Sequence, residues 1–239
     1  MNAAMPQDPI LQISRLQKRY GDVNVLKDID ISMAPGEFLV LVGPSGCGKS
    51  TLLSCISGLT DISSGTIRIA GKDRTNDEPA DRDIAMVFQS YALFPNMSVR
   101  ANIGYGLKMQ KLPKAEIDAR VDEVLTLCQL EDYAARAVTA LSGGQRQRIG
   151  LARALVGAPF VVILDEPNSN LDAEGEGALK RAIERLKELG SIVIVIAHRV
   201  SAISAVDHIM AMEDGRMKTF GPREELLKQM IAPLPAKAG

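Results

Sequence analysis

The chain has 239 residues, 46% of them hydrophobic and 24% charged, which suits one compact unit with a sizeable core and excludes a disordered or fibrous chain. Lys plus Arg (28) against Asp plus Glu (29) leaves a net charge of -1, so there is no broad field for gripping nucleic acid or an anionic membrane, and an anionic ligand must be held locally. Five Phe, four Tyr and no Trp are too few for the stacking platforms of a single-strand binder, and Cys47, Cys55 and Cys128 stand in no zinc-type spacing and fit a reducing, cytosolic setting.

Met1 to Pro9 lacks both the basic stretch and the apolar core of a signal peptide and reads as a loose leader. From Ile10 to Ile31 apolar residues recur at strand intervals around Gly21-Asp22, which predicts short antiparallel strands, and Pro35-Gly36 then punctuates the chain. Phe38 to Val42 is a continuous apolar run bounded by glycine, the pattern of a strand buried on both faces. A glycine-rich turn leads into a predicted helix over Lys49 to Gly58, with Leu52, Leu53 and Ile56 on one face and Gly58 as its stop.

Thr66 to Ala70 alternates like a strand, Asp73 to Asp83 reads as a polar loop, and Ile84 to Phe88 reads as a second buried strand with Gln89 at its end. The stretch from Ser90 to Ala140 reads as helical; within it Ile117, Val121, Val124, Leu125 and Cys128 form the stripe of an amphipathic helix between Pro113 and Leu130. Strands return at Phe160 to Leu164 and Ser191 to Ala197, separated by a helix over Ala178 to Leu189, and strand, helix, strand implies a parallel pair. No apolar run reaches the roughly 18 residues that a membrane span needs. The last seven residues read as frayed.

Gly43-Pro44-Ser45-Gly46-Cys47-Gly48-Lys49-Ser50-Thr51 satisfies the G-x-x-x-x-G-K-[ST] pattern, with the strand before it and the helix after it that the motif requires. Glycines let successive N–H groups point at phosphate oxygens, and the helix N-terminus adds partial positive charge. Lys49 is expected to reach the β- and γ-phosphates, and Ser50 to offer its hydroxyl to Mg²⁺. An accessible Cys47 inside this loop would be a thiol target that nucleotide protects. Val161-Val162-Ile163-Leu164-Asp165-Glu166 ends a buried strand in two acids: Asp165 is expected to hold the metal through water, and Glu166, one residue on and pointing elsewhere, to polarise an attacking water. His198 ends the apolar strand that starts at Ile192, where a polar side chain can leave the sheet and enter a site, although a histidine so placed is by itself more often a hydrogen-bonded structural residue.

Leu141-Ser142-Gly143-Gly144-Gln145, ahead of an apolar-periodic helix, resembles the signature of ATP-binding cassette (ABC) ATPases, and the other motifs of that family appear in its order. Tyr20 matches the aromatic residue that stacks on adenine, Gln89 the loop glutamine between two subdomains, Ser169-Asn170-Leu171-Asp172 the dimer-facing loop, and His198 the switch histidine. The resemblance implies an α/β, P-loop NTPase fold: a RecA-like core with an antiparallel β subdomain and an inserted helical subdomain. The boundaries expected in a single domain over 1–239 are 10–89 and 158–232 for the core with its β subdomain, and 90–157 for the helical subdomain. ATP and Mg²⁺ are the implied ligands, with Gln89 joining Ser50 and Asp165 at the metal and Gln89, Glu166 and His198 serving catalysis. The resemblance also implies a homodimer in the ATP-bound state, two chains sandwiching two nucleotides so that Ser142, Gly143, Gly144 and Gln145 of one reach the γ-phosphate on the other. Ser142 and two glycines at a helix N-terminus suit such a second phosphate contact.

The two halves resemble different branches. Ile84 through Val99 is similar to the ATPase subunits of sugar and glycerol-phosphate importers, whereas Ile149 through Leu155, Asp165 through Glu176, Ala197-His198-Arg199 and Asp214-Gly215-Arg216 are similar to type I secretion exporters. Asn168 and Arg199 stand where importers of that group carry Leu and Asp. One reading is a chimera joined between about Gly143 and Arg148; the other is a natural chain of mixed character. The expected role is that of an isolated motor domain, cytoplasmic and peripheral to the inner face of the membrane through separate transmembrane subunits, importer-type ones preferred, which it meets around Gln89 to Asn102. A nucleotide-gated dimerising scaffold with little turnover is the alternative.

Overall fold

The structure, a computed structural model, describes residues 9–88, 92–167, 173–196 and 206–226. Strands β1 (Leu11–Tyr20) and β2 (Val23–Met33) pair antiparallel around the Gly21 turn, as their apolar spacing predicts. They join β4 (Ser64–Ile69) and β5 (Lys72–Asp73) in a four-stranded antiparallel sheet of order β2-β1-β4-β5. The second sheet has six strands in the order β10-β9-β3-β8-β7-β6, built from β3 (Phe38–Val42), β6 (Ile84–Val87), β7 (Val161–Asp165), β8 (Ile192–Ile196), β9 (His208–Glu213) and β10 (Arg216–Pro222). All neighbours in it are parallel except β10, which returns antiparallel along β9.

Side-chain alternation in this sheet builds two cores. Phe38 and Val40 of β3, Val162 and Leu164 of β7 and Val193 and Val195 of β8 face one cluster, which they share with helices α2 (Val99–Met109), α3 (Lys114–Leu127), α4 (Gly143–Leu155) and α5 (Ala173–Glu188). Leu39 and Leu41, Ile163, and Ile194 and Ile196 face the other, shared with the antiparallel sheet and with α1 (Lys49–Ile56). Both faces are therefore covered, which is why β3, β7 and β8 read as unbroken apolar runs rather than as alternating ones. Helix α1 spans only Lys49–Ile56, too short to persist alone. Burial of Leu52, Leu53 and Ile56, each contributing about 2 kcal/mol, holds it against the sheet. Gly58, at φ 79°, turns the chain out of it.

The expected parallel pair is present as β7 and β8. Other expectations shift. Of the stretch expected as helical from Ser90 to Ala140, the described residues 92–140 hold α2, α3, which is the helix expected between Pro113 and Leu130, and two short 3₁₀ turns at Glu131–Tyr133 and Val138–Ala140. Ser98 sets the start of α2 by accepting a hydrogen bond from the Ala101 N–H, and Pro113 sets the start of α3. Asn102 organises the turn before α2: fully buried, it accepts from the Phe94 N–H at 2.9 Å and donates to the Phe94 and Ser98 carbonyls at 3.1 Å. The polar stretch 73–83 includes the end of β5 and a 3₁₀ turn at Pro79–Asp81, β4 starts at Ser64, and α5 starts at Ala173. Strands β9 and β10 have no counterpart in the sequence reading, although Asp214-Gly215 between apolar runs is a hairpin signal. Among the described residues no helix is long and apolar enough to cross a membrane.

Candidate functional site

The 43–51 loop joins the carboxyl end of β3 to α1, the crevice where open parallel sheets bind ligands. Its backbone is glycine-dependent for reasons within the chain. A Cβ on Gly43, at φ 149°, would lie 2.3 Å from the Met212 carbonyl oxygen, and one on Gly48, at φ 105°, would lie 2.9 Å from Leu26 Cδ2. Pro44, Ser45 and Gly46 form the exposed crest, Cys47 and Gly48 are buried, Ser50 is exposed at the first turn of α1, and Thr51 is half-buried behind it. Lys49 is 7% exposed, and its ammonium donates to the Gly43 and Pro44 carbonyls at 2.8 and 2.9 Å. Among the described residues no carboxylate forms an ion pair with it. It also lies 3.7 Å from the Cys47 sulfur, and a buried cation held by uncharged groups is a site for an anion.

The strand register brings the acids to the same edge. Leu41 of β3 and Asp165 of β7 both pair with Ile196 of β8, so Asp165 lies on the row that ends two residues before Gly43. Two strand spacings separate them, about 10 Å. Asp165 is half-buried at the strand end. Glu166 leaves the strand at φ 50°, a left-handed conformation uncommon for a residue with a Cβ, and its N–H donates to the Ile196 carbonyl at 3.2 Å. The two neighbouring acids thus differ in backbone conformation, Asp165 ending the strand and Glu166 following it in the left-handed region.

At the start of α4, Ser142 caps the helix. Its hydroxyl accepts from the Gln145 N–H at 3.2 Å, and the Gln145 side-chain oxygen accepts from the Ser142 N–H at 3.0 Å, a reciprocal capping box. Gln145 therefore has a structural task beside any contact with nucleotide. Gly143 has open space where a Cβ would lie; Gly144 follows it in the first turn of the helix. Tyr20, at the end of β1, is half exposed with the Lys18 ammonium 4.7 Å from its ring centroid. Gln89, the segment Asn168 to Asp172, His198 and Arg199 lie outside the described residues.

Cys47 is 4% exposed, so the accessibility that nucleotide-protected labelling requires is not met in this conformation. Burial pushes the Cys55 thiol up to about 11 and the Cys128 thiol up to about 12, which keeps both protonated and inert near neutrality. Arg82, which the sequence reading passes over, is 2% exposed and fastens the far end of α1, donating to the Cys55 and Ile56 carbonyls at 3.0 and 3.1 Å. Its signal in the sequence is slight, a single arginine in a polar stretch.

Residues 26–169 match the family model described as ABC transporter. The chain is 48% identical over 205 residues to the sn-glycerol-3-phosphate import ATP-binding protein UgpC of Paracoccus denitrificans, covering 85% of this chain and 58% of that protein. It is 46% identical over 218 residues to the protein of the same name in Ruegeria sp., covering 90% and 62%. The chain thus spans 58% and 62% of the length of these two relatives. Among solved structures, cbiO1 from Clostridium perfringens, part of the ABC transporter complex cbiONQ, is similar with a TM-score of 0.84 and 32% identity over 94% of this chain and 92% of that one. A dimeric ATP-binding cassette in a post-hydrolysis state, bound to ADP and Pi, is similar with a TM-score of 0.79 and 28% identity over 89% and 98%. The six-stranded sheet with its antiparallel companion and helical layer is the P-loop NTPase fold in its ABC form, and the chain belongs to the ABC transporter family.

Proposed function

We propose that the chain binds and hydrolyses ATP with Mg²⁺ as the nucleotide-binding subunit of an ABC importer, acting as an ATP-sandwich homodimer that drives separate membrane subunits. The observation that carries this reading is the buried Lys49 ammonium, held by loop carbonyls at 2.8 and 2.9 Å at the mouth of β3. Phosphate oxygens are the natural partner for that charge, and the helix N-terminus beside it favours anions further. The division into 10–89 with 158–232 and 90–157 belongs to the same reading.

Ser50 offers its hydroxyl to the metal, Asp165 holds it through water, and Gln89 joins them. Mg²⁺ bound there would neutralise charge developing on the β- and γ-phosphate oxygens. Gly43, Pro44, Ser45, Gly46, Cys47, Gly48 and Thr51 cradle the phosphates through backbone N–H groups and the threonine hydroxyl; Pro44, which lacks an N–H, shapes the turn. Glu166 accepts a proton from the attacking water while His198 and Gln89 contact the γ-phosphate side. Tyr20 stacks on the adenine. Ser142, Gly143, Gly144 and Gln145 of the partner chain close over the nucleotide. The relatives named for glycerol-phosphate import support inward transport, with membrane subunits meeting the 89–102 segment at the inner face of the membrane.

The test is ATPase rate per chain across protein concentration, with Lys49→Ala as the blank. The expected result is a rate per chain that rises with concentration, and a Glu166→Gln variant that binds ATP, hydrolyses it slower by orders of magnitude and accumulates as a dimer. A rate per chain independent of concentration would remove the composite site. Binding and dimerisation with negligible turnover would leave the scaffold reading.

A further inference from the structure

The β9–β10 turn bears on the phosphate loop through one backbone hydrogen bond. Gly215 donates its N–H to the Cys47 carbonyl at 3.1 Å, while its own carbonyl accepts from the Lys27 N–H of β2 at 2.8 Å. The turn is locked on the other side as well: the Lys27 ammonium donates to the Asp214 carbonyl at 2.9 Å. A Cβ on Gly215 would lie 2.2 Å from the Val25 carbonyl oxygen. The turn is thus wedged between β2 and the loop with no room for a side chain.

A trans peptide unit is planar, and its C=O and N–H point in opposite directions. A donor that fixes the Cys47 carbonyl toward the hairpin therefore fixes the Gly48 N–H away from it. We propose that Gly215 is a positioning residue for nucleotide binding: its backbone N–H turns the 47–48 peptide so that the Gly48 N–H faces the phosphates. This rests on the reading of 43–51 as a phosphate cradle. A neighbouring turn supplies the control. Ala70-Gly71, between β4 and β5, has φ values of 48° and 74°, against 49° and 76° for Asp214-Gly215. Yet a Cβ on Gly71 meets nothing within 4 Å. The two turns share their backbone strain and differ in what they touch.

The experiment measures ATP binding by titration calorimetry to the full chain, to Gly71→Ala, to Gly215→Ala and to Lys49→Ala, each below its melting temperature. Gly71→Ala is expected to melt lower and bind ATP as the unaltered chain does. Gly215→Ala is expected to bind roughly tenfold more weakly, the effect of one phosphate hydrogen bond, with the Gly48 amide resonance displaced. Wild-type affinity in folded Gly215→Ala overturns the proposal. Should Gly215→Ala not fold, Lys27→Met, which frees the Asp214 carbonyl, is expected to weaken ATP binding about threefold, and unchanged affinity there overturns it equally. If the unaltered chain binds ATP no better than Lys49→Ala, the phosphate reading itself falls and takes this proposal with it.

Discussion

Two glycine-bearing helix N-termini, at α1 and at α4, are built on opposite logic. At α1 two of the three loop glycines answer to their own chain: Gly43 and Gly48 have φ values of 149° and 105°, and side chains there would strike Met212 and Leu26, whereas Gly46, at φ 78°, has open space where a Cβ would lie. At α4, Gly143 is the first helical residue and a Cβ on it would meet nothing within 4 Å. The first region is a finished cradle, closed by intramolecular packing and by the Lys49 ammonium. The second is a capped helix end where, among the described residues, no contact explains Gly143. The proposed site shared between two chains calls for this form, one half preformed and the other left open to approach.

The sharpest way to break this contrast is Gly43→Ala. The forced approach to the Met212 carbonyl, 2.3 Å from the added carbon, is expected to lower folding stability by about 2–4 kcal/mol and to abolish nucleotide binding. Denaturant unfolding with and without ATP reads both, and a variant as stable as the parent would show the loop to be looser than described. Ser142→Ala comes next. Loss of its cap to Gln145 is expected to cost about 1 kcal/mol, visible in the isolated chain without nucleotide. Gly143→Ala has the smallest expected effect on folding, within about 0.5 kcal/mol of the parent, because its Cβ enters open space. It sharpens the comparison by its second readout: ATP turnover at high protein concentration should fall while the ATP affinity of the monomer stays unchanged. A monomer affinity that falls as well would mean that the α4 terminus serves its own chain's loop.

Much of this was legible residue by residue. Gly43 through Thr51 announces a phosphate loop because the motif encodes backbone conformation directly: glycines where left-handed or crowded positions occur, and lysine where the helix begins. Phe38 to Val42 and Val161 to Leu164 read as buried strands because helices and a second sheet cover both faces. Between Ser90 and Ala140, α3 was legible from its stripe after Pro113, and the other helical turns only as a block. Their breaks depend on Ser98, Pro113 and the fully buried Asn102, whose partners on the 94–98 turn are set by tertiary packing. The β9–β10 hairpin escaped the reading although Asp214-Gly215 signals it, since its short apolar runs look like many others until β3 receives them.

By itself the amino-acid order determined which groups are the candidates for chemistry: a lysine and serine after a glycine-rich turn, two adjacent acids at a strand end, and a Ser-Gly-Gly helix start. Local spacing is enough for that, because backbone conformation and capping are properties of a few consecutive residues. Only the tertiary structure decided that Leu41 and Asp165 share a row through Ile196, and that Gly215 reaches Cys47 from 168 positions away. Strand order and hairpin docking are settled by which apolar faces bury one another. That competition runs over the whole chain and no short segment contains it.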